Sequence, residues 1–199
     1  LKLLVQISLS IWILYIFSGG PLVYMSLEND NFLFFIYFVE VLFLVWLMNV
    51  FNFMDGIDGL TTFGSLFACI VTALLILYSI GNSENVIILA LLSSLCLAFL
   101  IFNFPPASIF MGDSGSLFLG YIIGALAIKT MMDDDLGFWT WCIVLGYFIS
   151  DASTTTLTRI GLVRKWYGEH RSHAYQNLAQ LWDSHLKVMS YIIIFHLFW

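Results

Sequence analysis

Charge is scarce in this chain. Only 10% of its 199 residues are Asp, Glu, Lys or Arg, and 61% are hydrophobic, whereas about a quarter of an ordinary soluble domain is charged. That excludes a soluble globular domain and leaves an integral membrane protein, in keeping with a mean hydropathy of +0.95. Lys and Arg number seven against thirteen acids, for a formal charge of −6, and no nucleic-acid partner is expected. Cysteine is confined to Cys69, Cys96 and Cys142, each alone in an apolar stretch. Without CxxC spacing they exclude a zinc site or disulfide framework and read as packing residues.

The apolar stretches recur between short polar breaks at roughly 2–18, 32–48, 61–80, 85–103, 115–131 and 137–157, with a last one starting near Leu186. Several approach the ~20 residues that cross a bilayer as helix, whereas barrel strands are about 10 residues of alternating pattern. The expected fold is all-α, a polytopic transmembrane helical bundle of about six complete spans and one cut short. A first residue that is not methionine and the short final span, ending at Trp199, lead us to expect a piece of a longer chain.

Charge placement sets the topology. Arg159, Arg164, Lys165, Arg171 and Lys187 fall in or at the edge of the polar loop between about 158 and 186, which the positive-inside rule makes cytoplasmic. Counting back, the breaks around 49–60 and 104–114 are cytoplasmic too, as is Lys2. The breaks Ser18–Asn31, Gly81–Asn85 and Met132–Gly137 fall outside and leave Lys129 as the one exception. The motif-bearing loops are thus expected on one face.

The first motif is Asn49-Val-Phe-Asn52-Phe-Met-Asp55-Gly-Ile-Asp58-Gly-Leu60. Polar and ionisable groups at membrane depth are costly and mark functional paths. A turn needs only a glycine and one or two polar groups, whereas Asn52, Asp55 and Asp58 lie three apart and can converge on one helix face. Hard oxygens of this kind suit Mg²⁺. A plain turn is the competing account.

The second motif runs Asn103-Phe-Pro105-Pro106 to Gly112-Asp113-Ser114-Gly115. The prolines stop one helix and Gly-Asp-Ser-Gly starts the next. Asp113 reads as a helix N-cap, as a carboxylate holding a cation against phosphate, or as both. Asn103 reads equally as a helix-terminal amide or a substrate contact.

The third motif holds His170, Arg171 and His173 within four residues, an anion clamp with proton-transfer capacity rather than a zinc site. His185 and His196 read as interfacial or packing residues, Asp133–Asp135 as a solvated exterior loop, and Asp151 as either a structural pair or a functional acid.

Together NVFNFMDGIDGL, FNFPPASIFMGDSGSLFLG and EHRSHAYQN resemble the polyprenyl-phosphate N-acetylhexosamine-1-phosphate transferases, glycosyltransferase family 4, a group that includes lipid I synthase. The resemblance implies a bacterial plasma-membrane enzyme. Its active site would face the cytoplasm and transfer a sugar 1-phosphate from a UDP-N-acetylhexosamine to polyprenyl (undecaprenyl) phosphate. UMP would be released with the help of Mg²⁺, or Mn²⁺ as the alternative. It makes Asn52 and Asp113 the metal-binding pair, counts Asp55, Asp58, Asp113, His170 and His173 as catalytic, with Asp55 and Asp58 in the nucleotide-sugar motif, and puts Asn49 and Asn103 with the substrate. His170, Arg171 and His173 would close over the pyrophosphate. It also implies that residues 1–199 are one transferase domain from a protein of about 10–11 helices, two copies of which would form a homodimer.

Two departures matter. The family's paired-aspartate motif would lie just before residue 1, and Asp133–Asp135 is expected on the opposite face, so the 199-residue chain alone is expected to be inactive. HRSHAYQ also lacks the three consecutive histidines of lipid I synthases, which favours the branch that initiates O-antigen or other lipopolysaccharide and surface polysaccharide. The competing classes are a polytopic transporter, which needs polar residues on both faces, a non-catalytic scaffold relative, and a CDP-alcohol phosphotransferase, whose longer motif is absent.

Overall fold

The computed structural model describes residues 1–18, 30–162 and 173–198. Every element among them is helical: α1 (Lys2–Ser18), α2 (Asp30–Met54), α3 (Leu60–Ser79), α4 (Glu84–Asn103), α5 (Gly112–Met132), α6 (Phe138–Val144), α7 (Gly146–Leu162), α8 (Ala174–Trp182) and α9 (His185–Phe198). Helices satisfy their backbone groups internally, which is what a hydrocarbon environment demands. Phe32–Met54, Leu60–Ser79, Glu84–Asn103 and Gly112–Met132 are long and apolar enough to cross a membrane.

The expected spans match the helices with two differences. The stretch expected at 137–157 is broken at Leu145 into α6 and α7, with Gly146 next to the break, a residue type that lets a helix bend. The helix expected to stop at 48 continues to Met54, because Asn49 and Asn52 find partners on neighbouring helices. Asn49 and Asn52 are therefore helix residues, not loop residues.

The bundle centres on α2, which packs against α1, α5 and α7. Its inward face, Leu44, Leu47, Met48, Phe51 and Met54, is fully buried, while Phe34, Phe35, Phe38 and Leu42 point outward. That is the expected division where lipid tails cover the perimeter. Close approach to α5 is possible because Gly120 and Gly124 present no side chain: a Cβ on Gly120 would lie 2.8 Å from Met48 Cα. Small residues four apart allow this contact in membrane helices. Tyr37 and Tyr121 donate to Ile11 O and Leu9 O at 3.0 and 3.1 Å, tying α1 down. Cys69 and Cys96 are buried free thiols, and His196 is buried among Phe63, Phe67 and Tyr147, as packing residues should be.

The end of the bundle away from the motifs corrects one expectation. Asp135 is buried, and its Oδ2 accepts from Ser83 Oγ at 2.6 Å and Asn85 Nδ2 at 2.7 Å. Asp133 accepts from the same amide at 2.8 Å and pairs with Lys129. The trio is thus not simply solvated; two of its acids clamp the turn before α4 to the turn after α5, and Lys129 is neutralised there.

Candidate active site

The motif residues gather at the opposite end, where α1, α3, α5 and α9 begin and α2 and α4 finish. Gly59 (φ +81°) and Gly112 (φ +66°) start α3 and α5 in a backbone region that other residues avoid. The tight turns they permit bring the two motif loops together.

Three side chains from three helices close a ring there. The Lys2 ammonium donates to Asn52 Oδ1 and to Asp113 Oδ2, each at 3.0 Å. Asn52 Nδ2 donates to Asp113 Oδ1 and to Ser116 Oγ, each at 3.1 Å. Ser116 is buried, but the Asp113 side chain is 75% exposed and Lys2 48%, so the ring opens to solvent. Asp113 lies in the first turn of α5, where the helix dipole favours an anion. It does not act as the N-cap: Met111 holds that position without a side-chain cap.

Asp55 is half-buried between α2 and α3. Burial, reinforced by the charge of Asp113, raises its carboxyl to about 7. Asp58 accepts from Ala107 N at 3.2 Å and faces His185 Nδ1 at 3.3 Å. It thereby joins the first loop, the second loop and α9. Asn103 is buried, accepts from Thr62 Oγ1 at 2.7 Å and donates to Ile109 O at 3.0 Å; of its two readings, these contacts are those of the structural one. Asn49 pairs one turn away with buried Gln6, at 3.1 and 3.4 Å, and donates to Val45 O, not to the ring.

His173 is buried, not directed at the ring. It stacks between Phe53 and Tyr175, with Nδ1 3.6 Å from Asp151 Oδ1. His170 and Arg171 lie outside the described residues. Sequence reasoning put Lys2 on the motif-bearing face but placed neither it nor Ser116 in the site, although Lys2 is the sole basic residue before Lys129. It also set His185 aside as an interfacial or packing residue, because pairing with Asp58 depends on where α9 docks.

Among the described residues no three His, Cys, Asp or Glu side chains converge on a metal position. The ring, with Ser116 beside it, instead offers a carboxylate, an amide and a hydroxyl, and one cation, the Lys2 ammonium, already rests on Asn52 Oδ1 and Asp113 Oδ2. Mg²⁺ is held by few protein oxygens, with water and substrate phosphate completing its shell. Asn52 and Asp113 fit that requirement.

The sequence model described as Glycosyl transferase family 4 matches residues 1–131, which include the whole ring. The chain is also similar to proteins named phospho-N-acetylmuramoyl-pentapeptide-transferase. That of Streptococcus equi subsp. zooepidemicus is 33% identical over 140 residues, 69% of this chain and 40% of the relative. That of Gluconobacter oxydans is 37% identical over 121 residues, 53% and 32% of the two chains. That of Moorella thermoacetica is 46% identical over 79 residues, 40% and 24%. The matched region thus spans 24–40% of the length of these three relatives.

Proposed function

Because the chain belongs to glycosyl transferase family 4, we propose that it carries the reaction centre of a membrane enzyme that transfers a sugar 1-phosphate from a UDP-sugar to polyprenyl phosphate on the cytoplasmic face. An acceptor phosphate oxygen attacks the phosphorus bonded to the sugar. The bond from that phosphorus to the bridging oxygen breaks, and UMP leaves with the electron pair. The site must therefore neutralise a diphosphate and a second phosphate together.

The observation that carries this reading is the Lys2–Asn52–Asp113 ring. Lys2 supplies a positive charge for phosphate oxygens, and Asn52 and Asp113 would hold Mg²⁺, which when bound lowers the charge on the diphosphate. Ser116 fixes the Asn52 amide. Asp55 is assigned to the donor side, and Asp58 to holding the second loop against the first through Ala107. An apolar cavity of about 450 Å³ between α1 and α5, lined by Val5, Leu9, Met48, Leu117, Phe118 and Tyr121, has Lys2 in its wall. It suits a prenyl chain whose phosphate meets the ammonium.

Two donors fit the reading. HRSHAYQ, without three consecutive histidines, favours a UDP-N-acetylhexosamine and O-antigen or related synthesis. The names of the relatives favour UDP-N-acetylmuramoyl-pentapeptide. The test is UMP release by the full-length protein in detergent, with undecaprenyl phosphate, Mg²⁺ and each donor in turn. Lipid- and Mg²⁺-dependent release with one donor class identifies it, and no release with either from a folded protein rejects the proposal.

The reading also sets a pH dependence. Asp55 is protonated below about pH 7 and ionised above it, so a reaction that needs its carboxylate gains rate as pH rises through that value. Initial rates from about pH 5.5 to 8.5 are expected to show this limb, and Asp55→Asn to flatten it at a lower rate. A wild-type profile that is flat over this range removes the assignment.

A further inference from the structure

The start of α8 is bonded to α7 and to the last turn of α2. The first N–H groups and last C=O groups of any helix lack partners within it. Ala174, the first residue of α8, donates its N–H to Asp151 Oδ1 on α7 at 2.9 Å. The next residue, Tyr175, is fully buried and donates its hydroxyl to Phe53 O, in the last turn of α2, at 2.6 Å. Burial holds the Tyr175 phenol well above its usual range, so it stays a donor.

The turn that receives this bond is closely fitted. A Cβ built on Gly56 would lie 2.2 Å from Tyr175 Oη and 2.7 Å from Gln176 Nε2. The far end of a flexible side chain could yield, but Tyr175 stacks on His173 and its hydroxyl is bound to Phe53 O. Asp151 is itself buried, with Thr155 Oγ1 at 3.3 Å and His173 Nδ1 at 3.6 Å from Oδ1, while its Oδ2 has no hydrogen-bond partner among the described residues. Burying a carboxylate is costly unless it is paired, and hydrophobic packing alone gives no reason to keep this one; its partners lie on α7 and at the start of α8.

We propose that Asp151 and Tyr175 are positioning residues. Asp151 anchors the first turn of α8, Tyr175 pins Phe53 O, and together they hold the backbone from Phe53 to Gly56, which follows Asn52 directly and carries Asp55. This rests on the reading of Asn52 and Asp55 as reaction-centre residues. The two groups act through backbone and touch neither donor nor acceptor.

The test uses the full-length protein and reads rate and structure separately. Tyr175→Phe removes one hydroxyl and is expected to lower kcat about ten-fold, leave KM for the UDP-sugar within about two-fold, and raise the apparent Mg²⁺ requirement. Hydrogen–deuterium exchange should rise in the peptide covering residues 53–60 and stay unchanged in α4. Asp151→Ala should repeat the pattern, and Gly56→Ala should lose rate that Gly56→Ala with Tyr175→Phe partly regains. Variants that only melt earlier, with unchanged kcat and Mg²⁺ requirement, would overturn the proposal, as would unchanged exchange at 53–60. Should the wild type release no UMP with any donor, the functional reading fails. Raised exchange confined to 53–60 would then still support the clamp.

Discussion

Asp113→Asn is expected to abolish Mg²⁺-dependent UMP release, with a fall in kcat of about 10³-fold or more. Asp113 is the sole carboxylate of the ring, accepting from Lys2 and Asn52 through separate oxygens. The amide variant keeps the shape but turns one acceptor into a donor that faces either the Lys2 ammonium or the Asn52 amide. It also removes the charge that would hold a divalent cation. Because the Asp113 side chain is largely exposed, the variant should fold and melt close to the wild type, which separates a chemical defect from a structural one. Asp134→Asn, on the turn at the far end of the bundle, is the control and should leave the rate unchanged. An Asp113→Asn enzyme within about three-fold of wild type would remove Asp113 from the centre.

The second large effect concerns stability. Gly120→Val is expected to lower the melting temperature of the detergent-solubilised protein by about 5–10 °C, or to prevent folding. A Cβ at residue 120 would meet Met48 Cα at 2.8 Å, Leu47 O at 3.0 Å and Phe51 Cβ at 3.0 Å. Two of these are backbone atoms, so relief requires α2 and α5 to separate. Separation would also pull Asn52 from Asp113 and Ser116, since these residues are carried by the same two helices. Gly124→Ala should cost less, because its closest neighbour is the end of a leucine side chain at 2.9 Å. Gly137→Ala, with nothing within 4 Å, should cost nothing. A Gly120→Val protein that melts with the wild type would show that the contact is looser than described.

Much of the fold was legible from hydropathy because lipid enforces a simple rule. A segment that must satisfy its backbone internally and show lipid an apolar surface announces itself by length and composition. Helix ends were less legible. Asn49 and Asn52 resemble loop residues in sequence, yet Gln6, Asp113 and Ser116 let α2 continue past them. Asp135 resembled a solvated acid until Ser83 and Asn85 arrived from another turn. The Gly120-Tyr-Ile-Ile-Gly124 spacing is a packing signal readable in the sequence, because small residues four apart let two helices approach closely.

By itself the sequence determined the class of the protein, a helical membrane bundle, and the grouping of polar motifs at the same end, because hydropathy and charge placement are local properties of the chain. It also carried the resemblance that the family match supports. Only the tertiary structure decided which polar residues meet. Lys2 reaches Asn52 and Asp113 across 50 and 111 residues of chain, His185 finds Asp58, and Tyr175 finds Phe53 across 122. Such pairings depend on the order and depth at which helices dock, and that is set by side-chain packing between segments distant in sequence.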